Sequence, residues 1–495
     1  MENYRRAYAL RSPVVIAAVL IGSLFAVSER SGIAQTSPAG RKTNLVFILT
    51  DNQGAWTLGC YGNRDIRTPH IDRLAAEGIR FTRALSSNPV CSPTRATFLT
   101  GLIPSQHGLH TFLDPKFMMG PQAYNTLAEF TSLGEVLRDA GYVCGLSGKW
   151  HLGANLTPSE GFSFWSTKPD GHTREFYDQD VIEDGKVRQE AGYTTDLWTK
   201  RGIEFIEQNK ERPFFLFLAY NGPYSLGGLM LNKAKNRHAE YYADREFPSF
   251  PRDAMHPWQF ANKQFHNKVE AMRRVAAETS GVDDGVGEVM GTLKRLGLDE
   301  NTLVVYAADQ GWMGGQNGMW GMGDHFRPLG AHELMMQIPL IWRQPGKIKG
   351  EATSDLLVSN YDFFPSVLSY LGLGDRALLD KPAVAPMKLP GRDFSVVLRG
   401  SSVEWENAVY YEMETVRAVR TDKWKLVMRH PSGPHEMYDM AADPQERMNV
   451  YGQPGMEGTR GELERRLAAF FKEYADPEYD VWQGGRSKAG RFVRN

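Results

Sequence analysis

The 495-residue chain has only three cysteines, Cys60, Cys91 and Cys144, so a disulfide framework is not expected and at least one thiol stays unpaired. The formal net charge of -1 lacks the basic excess of a nucleic-acid surface, and we expect no nucleic-acid partner. After the N-terminal region, no segment approaches the roughly 18 consecutive apolar residues that a membrane span requires. Repeats and low-complexity tracts are also missing from the sequence.

The N-terminal region has the pattern of a secretory signal peptide. Arg5, Arg6 and Arg11 precede the apolar run PVVIAAVLIGSLFAV, and small residues follow it up to Ala34. This pattern predicts a signal peptide over residues 1–34 and a periplasmic or secreted mature protein without a membrane span. The alternative is an uncleaved anchor, which the short apolar run disfavours.

Helix and strand patterns alternate through most of the chain. Residues 44–50 form an apolar run of strand length, and residues 269–293 carry apolar side chains at helical spacing. The alternation predicts an α/β fold: a large sandwich around a mostly parallel mixed sheet, over residues 43–395. Alternating strands and an amphipathic helix then predict a smaller C-terminal α+β subdomain over residues 396–480, followed by a tail at 481–495.

Polar side chains follow three of the predicted strands. They are Asp51 and Asn52 after the first strand, Lys149 and His151 after YVCGLS, and Asp309 and Gln310 after TLVVYAA. Ligands of open α/β sheets bind beyond the carboxyl ends of the strands, so these groups are expected to share one edge. Carboxylate and amide oxygens favour Ca²⁺ or Mg²⁺ over zinc. The alternative is that the aspartates are solvated turn residues.

Cys91 lies in the stretch VCSPTRATFLTG. If RATFLTG opens a helix, Cys91 lies at its N-terminal end and Arg95 follows one turn later on the same face. A helix N-terminus and a nearby guanidinium are expected to lower the pKa of a thiol. No histidine is close in sequence to act as its base, so a reactive thiolate and an inert buried cysteine both stay open.

Taken together, these segments resemble the type I sulfatases, the formylglycine-dependent enzymes of the alkaline phosphatase superfamily. CSPTR matches the family signature C-x-P-x-R, and TFLTG continues it. TDNQG and ADQG resemble the two metal-binding segments of the family, and GKWHLG resembles its sulfate-binding segment. The resemblance covers residues 44–474, with the segments in family order.

The resemblance implies a specific site. A formylglycine-generating maturation enzyme would oxidise Cys91, and a hydroxyl of the hydrated aldehyde would attack sulfur and displace the alcohol. Arg95 would orient that group, and Lys149 and His151 would bind sulfate and assist the leaving oxygen. A divalent cation, Ca²⁺ with Mg²⁺ as the alternative, would be held by Asp51, Asn52, Cys91, Asp309 and Gln310.

The sequence departs from the family pattern at several positions. Asn52 stands where relatives commonly have a second aspartate, which predicts weaker cation binding. Tyr224 stands where many relatives have a histidine, and it is expected either to act as a general acid with a higher pKa or to serve only in packing. Arg327 lies one position away from a lysine of many relatives, and we assign it to substrate binding, with a surface charge as the alternative. The aromatic-rich segment 224–265 is expected either to line the substrate pocket or to pack on itself.

The function expected from these features is that of an exported sulfatase acting on sulfate esters, with a sulfated carbohydrate as the expected substrate. Two alternatives stay open. A phosphonate or phosphate diester hydrolase of the same superfamily would use the same nucleophile and cation to attack phosphorus. A weakened protein that only binds sulfated glycans would explain Asn52 and Tyr224.

Overall fold

The computed structural model describes residues 41–374 and 388–493. The predicted signal peptide at residues 1–34 lies outside the described residues, as does part of the proline-rich segment 380–393, where the domain boundary is expected. None of the helices in the described part of the chain has both the length and the apolar composition that a bilayer crossing requires.

In the described residues, sixteen strands are distributed over three sheets. Those of the large sheet are β1 (Asn44–Asp51), β2 (Ile79–Leu85), β3 (Val143–Gly148), β4 (Phe164–Thr167), β5 (Tyr177–Glu183), β6 (Lys186–Tyr193), β7 (Phe214–Pro223), β8 (Thr302–Ala308), β11 (Leu340–Arg343) and β12 (Ala352–Ser359). The short pair is β9 (Met313–Gly314) and β10 (Trp320–Gly321), and the C-terminal sheet contains β13 (Ala408–Met413), β14 (Val416–Thr421), β15 (Trp424–Arg429) and β16 (Glu436–Asp439).

The α-helices of the described residues vary from one turn to seven turns in length. They are α1 (Pro69–Ala76), α2 (Cys91–Thr100), α3 (Pro104–His107), α4 (Leu133–Asp139), α5 (Thr194–Asn209), α6 (Ala239–Tyr242), α7 (Val269–Arg295), α8 (Glu333–Met336), α9 (Phe363–Tyr370), α10 (Ser395–Leu398) and α11 (Glu457–Tyr474).

The large sheet has ten strands in the order β12-β2-β11-β8-β1-β7-β3-β4-β5-β6. β1 pairs in parallel with β7 and β8, and β3 pairs in parallel with β7 and β4. β11 is antiparallel to both of its neighbours, and β5 and β6 form an antiparallel edge. The predicted α/β fold around a mostly parallel mixed sheet is confirmed.

Both faces of the sheet are covered, which explains why β1 is apolar without interruption from Leu45 to Leu49. Leu45, Phe47 and Leu49 contribute to one core, together with residues of α2, α4 and α9. Val46 and Ile48 contribute to the other core, together with residues of α1, α5 and α7. Successive side chains of a strand point to opposite faces, so one short run supplies both cores.

The C-terminal part of the chain is the predicted antiparallel sheet with one packed helix. Its four strands follow the order β13-β14-β15-β16. Leu463 and Phe470 of α11 pack with Val419 and Leu426 of this sheet. The domain limits at residues 395 and 480 stay predictions.

The aromatic-rich segment 224–265 packs largely on itself and on the second half of the chain. Tyr242, Phe247, Phe250 and Phe265 are buried in one cluster with residues of α7. These four side chains therefore pack inside the protein rather than line a substrate pocket.

Gly148 connects the fold to the candidate site, because it ends β3 directly before Lys149. Its φ angle of 117° is unfavourable for other residues, and an added Cβ would lie 1.9 Å from the carbonyl oxygen of Ala219. We expect Gly148→Ala to lower the free energy of unfolding by about 2–4 kcal/mol. Urea unfolding measures this loss as a lower midpoint.

The matched control is Gly291→Ala in α7, where no described atom lies within 4 Å of the added Cβ. Alanine is the better helix former, so this variant is expected to be neutral or more stable by up to about 1 kcal/mol. Equal urea midpoints for the two variants would contradict the close approach of β3 and β7 at this position.

Candidate active site

The carboxyl ends of neighbouring parallel strands bring the predicted polar residues to one edge of the sheet. Asp51 ends β1, Asp309 follows β8, and Lys149 follows β3. Cys91 is the first residue of α2, as the sequence predicts, and its side chain lies at the same edge. The strand order β8-β1-β7-β3 explains why side chains far apart in sequence meet here.

Three potential metal ligands form the centre of the cluster. Oxygen atoms of Asp51 and Asp309 and the Sγ atom of Cys91 lie within 4.8 Å of one another, and all three residues are buried. The thiol of Cys91 donates to Oδ1 of Asp51 at 3.4 Å. Nε2 of Gln310 lies 3.2 Å from Sγ of Cys91 and donates to Oδ1 of Asn52 at 2.5 Å. Oδ1 of Asp309 accepts from the main-chain amides of Asn52 and Gln310, both at 3.0 Å, so hydrogen bonds link all five predicted metal ligands.

Each buried carboxylate is paired with one buried cation. Oδ2 of Asp309 accepts from Nε and Nη2 of Arg95, at 3.1 and 2.9 Å. Oδ2 of Asp51 accepts from Nζ of Lys149 at 2.5 Å. Nη1 of Arg95 also donates to the main-chain carbonyl of Lys149 at 2.8 Å. The two ion pairs therefore hold each other in place.

The close charges shift the pKa values within the cluster. Burial, and then the Asp51 carboxylate, raise the pKa of Asp309 to about 7. Burial lowers the pKa of Lys149, but the Asp51 carboxylate and the other acidic neighbours outweigh it, and the net pKa shift is upward. The protonated ammonium of Lys149 is thus stabilised at neutral pH.

Cys91 does not have the low thiol pKa expected from its position. Burial, and then the Asp51 carboxylate, raise the pKa of the thiol above its ordinary value, and Lys149 and Arg95 do not compensate. The expectation of a lowered pKa is wrong for the unmodified cysteine, because a buried thiolate beside a carboxylate is costly. The unmodified thiol is therefore a poor nucleophile in this position.

His151 is a buried imidazole without protein partners. Neither ring nitrogen has a hydrogen-bond partner within the described part of the chain. Burial, and then Lys149, lower the pKa of His151 well below its ordinary value, so the ring is neutral. A Cβ on Gly171 would lie 1.9 Å from the ring, so only glycine fits beside it. A neutral imidazole held in this way can donate a hydrogen bond to a bound anion.

Tyr224, which replaces the histidine of many relatives, lies in the site. Its ring centroid is 5.5 Å from Nζ of Lys149, and its main-chain amide donates to the carbonyl of Asp51 at 3.0 Å. Burial, and then the Asp51 carboxylate, raise the pKa of Tyr224 well above its ordinary value. The Tyr224 hydroxyl therefore keeps its proton at neutral pH.

Lys168 is a site residue that the sequence reasoning missed. It follows β4, the neighbour of β3, and its buried Nζ donates to the carbonyl of His172 at 3.1 Å. Burial lowers the pKa of Lys168 to about 8. The rule that polar residues follow strands would have found it, but β4 is too short to be recognised from its pattern.

Arg327 differs from the other predicted site residues. Its guanidinium donates to the main-chain carbonyls of Asp324, Phe326 and Val493 and lies 4.4 Å from the ring centroid of Phe260. The structure does not bring Arg327 into contact with the cluster, and its role in substrate binding stays a prediction.

The cluster fits a hard divalent cation. Oε1 of Gln310 is buried and has no hydrogen-bond partner among the described atoms, although a buried carbonyl oxygen normally has one. It lies in a group that also contains two carboxylates and the amide of Asn52. Such an oxygen-rich donor set is typical of Ca²⁺ or Mg²⁺ sites.

Comparisons with known proteins agree with the geometry. The family model described as Sulfatase matches residues 43–373. A second model, described as the C-terminal part of N-sulphoglucosamine sulphohydrolase, matches residues 325–473.

Individual relatives have related descriptions. The chain is 26% identical to an N-acetylglucosamine-6-O-sulfatase of Bacteroides thetaiotaomicron, covering 89% of this chain and 88% of that protein. It is 31% identical to the N-acetylgalactosamine-6-sulfatase of Rattus norvegicus, covering 78% and 71%. One solved structure shows a protein in complex with its substrate, D-glucosamine-2-N,6-O-disulfate. It matches this chain with a TM-score of 0.69 and 25% identity, over 89% of this chain and 99% of that protein. The chain therefore belongs to the formylglycine-dependent sulfatase family, a family of sulfuric ester hydrolases within the alkaline phosphatase superfamily.

Proposed function

We propose that this protein is an exported sulfatase that removes sulfate from carbohydrate esters, with residue 91 as the source of the nucleophile. The observation that carries the proposal is the position of Cys91, buried between Asp51 and Gln310 at the start of α2. The names of relatives that act on sulfated amino sugars support a carbohydrate substrate.

Residue 91 needs modification to act. Its raised thiol pKa makes the cysteine itself a poor nucleophile, whereas its oxidation product formylglycine supplies a hydroxyl of a hydrated aldehyde. Cys91 is only 4% exposed in the folded chain, so the maturation enzyme would have to act before folding is complete. Arg95 lies one turn further along α2 and fixes the Asp309 carboxylate next to residue 91.

A divalent cation, Ca²⁺ with Mg²⁺ as the alternative, is the second proposed component. Its ligands would be Asp51, Asn52, residue 91, Asp309 and Gln310. When bound, the cation supplies positive charge that lowers the pKa of a nearby hydroxyl and neutralises sulfate oxygens.

The remaining site residues are suited to sulfate and its leaving group. Lys149 offers a buried ammonium, and His151 offers an imidazole with both nitrogens unpartnered within the described chain. Both can stabilise the negative charge that develops on the sulfate and on the departing oxygen. Tyr224 retains its proton because of its raised pKa and can donate it toward the leaving oxygen.

Export is part of the proposal. It is supported by the arginines, the apolar run and the small residues of positions 1–34, and it would bring the protein to the periplasm or outside the cell. Sulfated polysaccharides too large to cross a membrane would be accessible to the enzyme there.

Relative turnover tests the reaction class. We expect matured protein to hydrolyse an aryl sulfate faster than the matching aryl phosphonate or phosphate diester, because the relatives that match most of the chain are named as sulfatases. Cys91→Ala is expected to lose at least about 1000-fold in kcat, since it removes the nucleophile. Cys144→Ala, which removes a thiol that is equally buried in β3, is the matched control and should retain activity.

Two outcomes would contradict this proposal. Faster turnover of the phosphonate or diester would identify the chain as a phosphorus-ester hydrolase. Tight binding of a sulfated glycan by matured protein, with no turnover of any sulfate ester, would identify it as a binding protein.

Asn52 provides a test of the cation site. Its Nδ2 donates to Oδ1 of Asp51 at 3.0 Å, and Asn52→Asp would replace this bond with a third carboxylate. We expect the variant to melt several degrees lower in a chelator, because the carboxylates repel each other. We also expect about ten-fold tighter Ca²⁺ binding, since an anionic oxygen is the better ligand.

The measurement is the thermal midpoint during a Ca²⁺ titration, which does not depend on catalysis. Asn301→Asp is the matched control, because the side chain at this position bonds, among the described residues, only to the carbonyl of Lys42. An equal Ca²⁺ response of the Asn52→Asp variant and the wild type would remove Asn52 from the proposed ligand set.

A further inference from the structure

The end of the chain returns to the region beside the candidate active site. The main-chain amide of Lys488 donates to the carbonyl of Gly108 at 2.8 Å, and the amide of Asp114 donates to the carbonyl of Ala489 at 3.0 Å. Ala489 is fully buried. These contacts hold the segment 488–493, which we call the C-terminal strap, against the loop that follows α3.

The strap is also fixed at its far end. The main-chain amide of Val493 donates to the carboxylate of Glu414 at 2.6 Å, and its carbonyl accepts from Arg327. Arg491 lies between these two anchored ends, so its main chain is restrained on both sides. The strap therefore presents this side chain from a defined position.

Arg491 is linked to the site by a row of aromatic rings. Its guanidinium carbon lies 4.2 Å from the ring centroid of Phe112. The ring of Phe112 is 5.0 Å from that of His172, which is 5.5 Å from that of His151. The row leads from the imidazole assigned to sulfate binding outward to an exposed guanidinium.

The guanidinium of Arg491 has no anionic partner in the described structure. It forms no ion pair within 4.0 Å and no side-chain hydrogen bond among the described residues, and its contact is with the face of Phe112. Arg486, in the preceding turn, instead pairs with Glu478. Five guanidinium N–H donors thus stay available at Arg491, in the fork arrangement that matches a carboxylate or a sulfate.

The surrounding charges favour an anion at this position. Burial, and then Lys149, lower the pKa of His172 to about 4, so this ring is neutral at pH 7. Lys168 adds positive charge behind His172, and Asp170, whose Oδ1 lies 3.8 Å from Nζ of Lys168, offsets part of it. Arg491 contributes to lowering the pKa of Asp324, against the larger upward effect of burial. The Asp324 side chain is only 8% exposed and lies beyond ion-pair distance of Arg491, so it does not neutralise the guanidinium.

We propose that Arg491 binds a second anionic group of the substrate, a carboxylate or a further sulfate, outside the sulfate that is cleaved. This inference rests on the proposed sulfatase function and names its substrate class: a glycan that carries at least two negative charges on the same or adjacent sugars. Arg327 then acts as a positioning residue, because it holds the carbonyl of Val493 and with it the strap.

The test compares substrates that differ in charge, using full-length matured protein. They are an aryl sulfate, a monosulfated neutral sugar, a disulfated sugar, and a monosulfated disaccharide that contains a uronate. For Arg491→Ala we expect KM to rise about 5- to 20-fold on the substrates with a second anion, as for the loss of an exposed charge-assisted bond. We expect kcat to stay nearly unchanged, because the bond lies outside the reacting centre.

The same variant should change KM for the aryl sulfate and the neutral sugar by less than about two-fold, since they have no second anion to lose. Arg491→Lys should recover part of the loss, because it keeps the charge without the fork. Arg486→Ala is the matched control: it removes an exposed arginine of the same terminal region that is already paired, and should leave KM unchanged for all four substrates.

The two anion sources are separated by the substrates themselves. A KM change confined to the disulfated sugar identifies a sulfate subsite, and one confined to the uronate disaccharide identifies a carboxylate subsite. Equal KM values of wild type and Arg491→Ala on every substrate would overturn the inference, as would an equal rise on all four. Both results leave the sulfatase proposal intact, which fails only if wild-type protein hydrolyses none of the sulfate esters.

Discussion

Asp51 and Asp309 are fully shielded from solvent, and each carboxylate is stabilised by a single buried cation. An isolated ion at such a depth would cost several kcal/mol, so neither carboxylate can remain ionised without its partner. Because Arg95 also holds the carbonyl of Lys149, the two pairs form one rigid unit. The positions of Cys91 and Gln310 depend on this unit, since both contact its carboxylate side.

Much of this arrangement can be predicted from the sequence, because it follows from the direction of the strands. Parallel strands place their carboxyl ends at one edge, so a polar residue directly after an apolar strand is a candidate ligand. β1 and β8 each have an uninterrupted apolar stretch that is easily recognised, and the polar residues at or directly after their carboxyl ends are those found in the cluster. The resemblance of CSPTR and its neighbours to sulfatase segments then indicated the chemistry, which the geometry alone leaves open.

Other features depend on contacts that no local pattern reveals. Lys168 follows a four-residue strand, and Arg491 belongs to a segment without hydrophobic periodicity that meets Phe112 only in the folded chain. The helix N-terminus and Arg95 predict a lowered thiol pKa for Cys91, whereas burial beside Asp51, which no sequence pattern reveals, raises it. The resemblance suggests Arg327 for substrate binding although it lies one position out of register, and its side chain contacts main-chain carbonyls.

Residue 91 is proposed to act as an oxidised cysteine, and the mass of the peptide that contains it tests this most directly. Protein purified from its native host would be digested, and the peptide that spans residues 91–95 measured by mass spectrometry without prior reduction. Conversion of the thiol to an aldehyde predicts a lower mass than that of the cysteine peptide, and a hydrazide reagent should then label this peptide. An unmodified thiol in fully active protein would contradict the proposed chemistry.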